Sequence, residues 1–295
     1  MELLLTEEQS LLRDSAAKLF ARVAGPAKLR ALRESNTGFD RAGWQEIVEA
    51  GFLDVAGLGA TELCLVMEQA GAALCTLPLG AAAAAAFATD DNPLVLPALA
   101  KIVPFAAEAD GFLTRDGVVP RDKVRITQLR LVDGSAAGEI REPLAPPEDG
   151  VRDLVLLGQG AELTGVMDRA FSIALDYLKT RVQFDKKIGS FQALQHRAVD
   201  EFMEVELTRS LVYQVAAAFD RGQGNSAMAA AVKARASAAA MRVCKTALQF
   251  HGAMGYTDEH DIGLYLKRAM AIAASFGNET ASRRRFARLA GIEPG

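Results

Sequence analysis

Apolar residues recur at three- and four-residue spacing through most of this chain, the period of helices with one buried face. Thr6-Glu7-Glu8-Gln9 is a capping-box pattern, and it predicts a helix over residues 10–23. Pro26 opens a second helix to about residue 35. A third covers 40–50 and ends at Gly51. Further amphipathic helices follow over 60–74 and 77–88, so residues 1–90 read as an all-helical domain. The texture changes over 91–150. Prolines stand at 93, 97, 104, 120, 143, 146 and 147, short β-type runs at 111–114, 123–127 and 129–132, and Asp133-Gly134 is a turn signal. This stretch reads as a small β subdomain of about three to five strands, with 143–150 as the linker out. Helical periodicity resumes from 153. One helix is expected over 158–180, one over 191–221 with Ser190 as N-cap, and one from the N-cap Ser226 to about 250. Another spans 261–275, and a last basic helix follows Gly277. Residues 151–295 are therefore expected to form a helical bundle.

Composition narrows the function classes. The chain has 295 residues, 50% of them apolar, enough for two or three subdomains around a substantial core. Only 24% are charged and the net charge is −4, without the basic footprint of a nucleic-acid binder. The apolar run 77–88 is too short to span a bilayer, and the acidic N-terminus lacks a signal pattern. A soluble cytoplasmic protein is expected, with Cys64, Cys75 and Cys244 as buried small hydrophobes. His196, His251 and His260 have no metal-ligand spacing, so no metal site is expected. Asp258-Glu259-His260-Asp261 is expected to cap the helix that follows it.

Three segments carry chemistry. In the first, Arg181 precedes Phe184 and Asp185, with Phe191-Gln192 and His196 beyond a short turn. The second is Gln249-Phe250-His251-Gly252-Ala253-Met254-Gly255-Tyr256. The third is Leu264-Tyr265-Leu266-Lys267-Arg268-Ala269. An arginine at a helix end followed by an aromatic offers a bidentate donor for a pyrophosphate and a stacking surface for a ring. A glycine-rich loop between helices lets backbone approach a phosphate or ribose closely. In this order and at these separations the segments resemble the helical C-terminal domain of the acyl-CoA dehydrogenases. Glu7-Glu8-Gln9, Trp44 and the run from Leu65 to Gly71 are similar to that family's first domain. The resemblance implies a mainly α fold with an N-terminal helical domain, a middle β domain and a C-terminal bundle that grips FAD and builds the oligomer. It implies that Arg181, Phe184 and Gln192 contact the ADP half of FAD against a neighbouring subunit, and that Gln249, Gly252 and Gly255 contact it from the same side.

The chain also departs from the family pattern. Asp185 replaces a glycine after Phe184, and Ala253 replaces the second glycine of the loop. The family reaction needs a carboxylate to remove the α-proton of an acyl-CoA while hydride leaves the β-carbon. The usual position of that base is Phe276 here, and the minority position is near Val155. Glu279 lies three residues further on, either as a base in a remodelled turn or as a first-turn helix carboxylate. The middle domain is shortened and lacks the flavin-packing Trp-Ile-Thr-type strand, and residues 51–61 replace a longer family loop. These departures imply a short subunit of a heteromeric enzyme, similar to those acting on steroid side chains. It would share an FAD site with a homologous partner, act on an acyl-CoA and pass electrons to an electron-transfer flavoprotein or similar acceptor. A self-sufficient homo-oligomeric dehydrogenase using Glu279 and a flavin-free scaffold are the alternatives. The basic residues Arg283, Arg284, Arg285 and Arg288 read as a solvated face or a phosphate contact.

Overall fold

The computed structural model describes residues 5–35, 37–89 and 94–292. Helix α1 (Glu7–Val23) begins at the capping box: Thr6 Oγ1 accepts from the Gln9 amide at 3.2 Å, and Gln9 Oε1 accepts from the Thr6 amide at 3.1 Å. Helices α2 (Pro26–Glu34), α3 (Arg41–Glu49), the short α4 (Val55–Leu58), α5 (Ala60–Ala72) and α6 (Leu79–Ala86) complete the N-terminal set. The expected boundary at 90/91 and the proline at 93 lie outside the described residues.

The β stretch is richer than its proline content suggests. It holds six strands among the described residues, β1 (Val95–Pro97), β2 (Ile102–Pro104), β3 (Gly111–Thr114), β4 (Gly117–Pro120), β5 (Ile126–Arg130) and β6 (Ala136–Ile140). They form two sheets, ordered β1-β3-β4 and β2-β6-β5. Only β1 and β3 run parallel; the remaining pairs are antiparallel. Pro97, Pro104 and Pro120 each end a strand, where the missing amide is tolerated, so the prolines mark strand ends rather than irregular chain. The runs expected at 123–127 and 129–132 merge into the single strand β5. Asp133-Gly134 does make the turn to β6: Gly134 takes φ 91°, and Asp133 Oδ1 accepts from the Ser135 amide.

Helix α7 (Asp149–Thr180) starts at Asp149, not at 158, and takes up only the last two residues of the expected linker. A two-residue hairpin, β7 (Val182–Gln183) and β8 (Lys186–Lys187), leads to α8 (Gln192–Asp220). Helices α9 (Ser226–Phe250), α10 (Ile262–Ala274) and α11 (Glu279–Leu289) follow. Two expected caps are corrected. Ser190 does not cap α8; its hydroxyl donates to the Lys187 carbonyl in the preceding turn. Asn225, not Ser226, caps α9: its extended backbone lets Oδ1 accept from the Met228 amide at 3.1 Å. Ser226 is already helical, and its hydroxyl donates to Asp153 at 2.6 Å.

Helices α5 and α7 pack backbone against backbone. A Cβ at Gly165 would meet the Glu68 carbonyl at 1.9 Å, and one at Gly71 would meet the Glu162 carbonyl at 2.0 Å. Those glycines set the depth of the crossing. Cys64, Cys75 and Cys244 are buried and unpaired. No helix among the described residues is long and apolar enough to cross a membrane.

Candidate functional site

Two places in the molecule collect the residues singled out by the sequence. The first is an open groove of about 540 Å³ where the C-terminal ends of α7 and α9 meet. Arg181, Gln249 and Gly252 line it together, with Tyr177, Arg197 and His251. Arg181 is the C-cap of α7, where the helix stops and the backbone turns extended, so its side chain projects from the helix end. It forms no ion pair among the described residues. Gly252 takes φ 59°, a left-handed turn natural to glycine, at the exit from α9. Gly255 is buried beneath the loop: a Cβ there would lie 2.7 Å from the Leu248 carbonyl. It shapes the turn without lining the groove.

Phe184 and Gln192 stand beside the groove and do not line it. Phe184 and Asp185 are the two turn residues of the β7–β8 hairpin, both left-handed at φ 53° and 60°. A two-residue hairpin turn favours positive φ at both positions, so the family glycine at 185 has a backbone reason, and aspartate is among the residues that tolerate the conformation best. The turn leaves Phe184 84% exposed, edge-on to Phe191 at 6.2 Å. Gln192 is the exposed first residue of α8. Tyr177, Arg197 and His251 were missed as groove residues. Tyr177 lies one helical turn before Arg181, a spacing that signals a shared face.

The second place is a cavity of about 50 Å³ enclosed by α5, α7, α10 and the end of β2. Val155 and Phe276, the two positions where the family carries its base, both line it. Phe276 is buried with φ 55° and packs into the core. The carboxylate on the cavity wall is Glu162, which is ion-paired to Arg268. Arg268 also binds Asp133 at 3.0 Å, tying the β5–β6 turn to α7 and α10. Burial pushes the Glu162 carboxyl up, while Arg268 pulls it back down. Arg268 itself is held charged by these two carboxylates against the cost of its own burial. Glu279 does not line this cavity. It is the first residue of α11, behind the N-cap Asn278, and its carboxylate accepts from Arg283 at 2.8 Å.

No carboxylate of the cluster before α10 caps that helix with its side chain. Asp258 bonds Arg33 at 3.1 Å and Asp261 bonds Arg30 at 2.7 Å, so both carboxylates fasten the loop to α2. The hydrogen bond from Arg33 holds Asp258 below the usual carboxylate range. Asp261 occupies the N-cap position, and the side-chain bond comes from His260 in the same cluster, whose Nδ1 accepts from the Ile262 amide at 3.1 Å. On α11, Arg285 turns inward to Asp149 at 2.9 Å and is not part of a solvated face.

Comparison with known proteins agrees with this architecture. The family described as acyl-CoA dehydrogenase, C-terminal domain, matches residues 157–290. Acyl-CoA dehydrogenase IpdE2 of Mycobacterium tuberculosis is 31% identical over 89% of this chain and 91% of its own length. IpdE2 of Mycolicibacterium smegmatis is 31% identical over 92% of this chain and 96% of its own. Among solved structures, the ChsE4-ChsE5 complex from Mycobacterium tuberculosis superposes with a TM-score of 0.85 over 100% of each chain, at 23% identity. Bundle, paired sheets and relatives together define an oxidoreductase with the acyl-CoA dehydrogenase fold. The chain belongs to the acyl-CoA dehydrogenase family, whose members are FAD-dependent.

Proposed function

We propose that this chain is the cofactor-gripping subunit of an acyl-CoA dehydrogenase that desaturates an acyl-CoA between its α- and β-carbons, sharing each FAD site with a homologous partner. The observation that carries this reading is a contrast between the two places above. Arg181, Gln249 and Gly252 converge on one open groove with an uncommitted cation. The positions for the base converge on a cavity of about 50 Å³ that holds Phe276, Val155 and an already paired Glu162. The groove suits the ADP half of FAD: Arg181 would bind the pyrophosphate, Gln249 and the Gly252 backbone would meet it from the α9 side, and Phe184, Gln192 and Gly255 would frame the approach. The small cavity has room for little more than water, so it does not fit a flavin ring with a thioester against it. When bound, FAD supplies the hydride acceptor, and the carboxylate that takes the α-proton would come from the partner. An electron-transfer flavoprotein or similar acceptor would then reoxidise the enzyme.

Domain division supports the same picture, with 1–90 as a helical domain, 91–150 as a reduced β subdomain and 151–295 as the FAD and oligomer bundle. Similarity to the paired ChsE4-ChsE5 chains favours a heteromer, an α2β2 assembly, over a homo-oligomer. The exposed apolar stripe on α8, where Val199, Phe202, Met203 and Leu207 are each more than half exposed on one helical face, supports association with a partner chain in either assembly. Similarity to the steroid ACAD Tcur3481-Tcur3483, with a TM-score of 0.87 at 24% identity, supports a bulky steroid-derived thioester as the substrate.

The test is to purify the chain alone and co-expressed with a complete homologue encoded nearby. The expected result is FAD bound and acyl-CoA oxidised by the pair, with neither by this chain alone. One FAD per protomer and turnover from the chain by itself would overturn the shared site. In that event Glu279→Gln decides whether Glu279 is the base, because unchanged turnover excludes it. A colourless, flavin-free pair would sink the cofactor reading.

A further inference from the structure

Two rings, Tyr177 and His251, stack on the wall of the groove, and a third, His260, which does not line it, packs against His251. Tyr177 belongs to α7 and lies one turn before Arg181, whose amide donates to the Tyr177 carbonyl at 2.9 Å. His251 follows α9, between Gln249 and Gly252. Its ring lies 4.4 Å from that of Tyr177 at an interplanar angle of 28°. His260 packs against His251 at 4.3 Å, tilted by 48°, and is fastened to the start of α10 through its bond from the Ile262 amide.

The protons of His251 can be assigned from its partners. Nδ1 lies 2.7 Å from the Ala247 carbonyl, which can only accept, so Nδ1 carries the hydrogen. That bond satisfies one of the carbonyls left over in the last turn of α9. Nε2 is buried and has no partner among the described residues, although the residue is only 3% exposed. Burial, with the neighbouring His260, holds the imidazole below its ordinary range. One nitrogen caps the helix and the other is idle. What remains for the ring is its packing against Tyr177 and His260.

We infer that Tyr177, His251 and His260 form a positioning column that sets the spacing between Arg181 on one rim of the groove and Gln249–Gly252 on the other. This rests on the FAD reading proposed above. A pyrophosphate gripped bidentately from one rim and met by backbone from the other tolerates little error in that spacing. The two rims belong to different helices, and a stacked pair links them directly where the ligand would lie. None of the three residues needs to touch the ligand.

The experiment uses the full chain, alone and paired with its co-expressed homologue. It compares FAD affinity, thermal midpoint and hydrogen exchange over residues 252–256 for wild type, Tyr177→Ala, Tyr177→Phe, His251→Ala and His251→Phe. Loss of a ring should weaken FAD binding roughly three- to tenfold and speed exchange in the loop. The double alanine variant should cost little more than either single one, because both break the same stack. His251→Phe loses the bond to Ala247 and should lower the thermal midpoint, yet it keeps the ring and should hold FAD affinity within about twofold. A purely structural role would make affinity follow the midpoint. Alanine variants with wild-type affinity and exchange, or a phenylalanine variant as weak as alanine, would overturn the column. If the wild-type pair binds no FAD, the cofactor reading fails, and loop exchange still decides the column by itself.

Discussion

Lys233 is the least expected residue in the molecule. Its side chain is fully buried under the last turn of α10, with Nζ donating to the Ile272 carbonyl at 2.5 Å. Burial pulls its pKa down to about 7, and the nearby Glu162 offsets only part of that shift. Its folded pKa therefore lies below the unfolded value. Between about pH 7 and 10 the unfolded chain holds a proton that the folded one has released, so this group adds stability as pH rises through that window and withdraws it as pH falls. The expected slope from this residue is at most about 1.4 kcal/mol per pH unit. Lys233→Met should be more stable near pH 7 and should lack that rise. Urea midpoints of the two proteins from pH 7 to 9.5 check it; parallel curves would show that Lys233 stays charged in the fold. The sequence carried no sign of this site, because helical periodicity places Lys233 on a face without saying how deep the face lies.

At the scale of elements, the capping chemistry is spread across the chain in a way local patterns miss. The start of α5 has no cap of its own, since Gly59 precedes it. Its free amides are met by Asp220, the last residue of α8. Asp220 Oδ1 accepts from the Ala60 amide at 2.6 Å, and Oδ2 accepts from the Thr61 amide at 3.1 Å and the Thr61 hydroxyl at 2.5 Å. The carboxylate also faces the positive end of the helix. Asp220→Ala should cost about 1–2 kcal/mol, read as a lower urea midpoint with an unchanged m-value. The same lesson explains why Asp258 and Asp261 do not cap α10, since Arg33 and Arg30 of α2 hold them. Thr6 was legible because its partner Gln9 lies three residues away. Asp220 and Arg30 act across long separations that no local motif encodes.

At the scale of the whole molecule, the question is what covers the apolar stripe of α8. Val199, Phe202, Met203 and Leu207 recur at three- and four-residue spacing, as core residues do, yet they face outward. Phe202→Asp should leave the fold and its helical circular dichroism unchanged while weakening association with the partner chain by roughly tenfold or more. Light scattering of the co-expressed pair measures this. Assembly at wild-type affinity would place the interface elsewhere. The stripe lies near the groove, so loss of the partner and loss of flavin should go together if the site is shared.

What the sequence determined by itself was local in origin. The helices, the Asp133-Gly134 turn, the glycine loop and the order Arg181, Phe184, Gln249, Gly252 are written in spacing and residue type. The tertiary structure alone decided which of these meet. It brought Arg181, Gln249 and Gly252 to one groove and left Phe184 and Gln192 beside it. It put Phe276 and Val155, 121 positions apart in the numbering, on the wall of one small cavity beside Arg268, which is already paired with Glu162 and Asp133. It stacked Tyr177 on His251 and set His260 against His251. The division has a physical cause: caps, turns and periodicity are settled among neighbours a few residues apart, whereas burial, ion pairing and ring stacking depend on how separate helices pack, and that packing is a property of the whole chain.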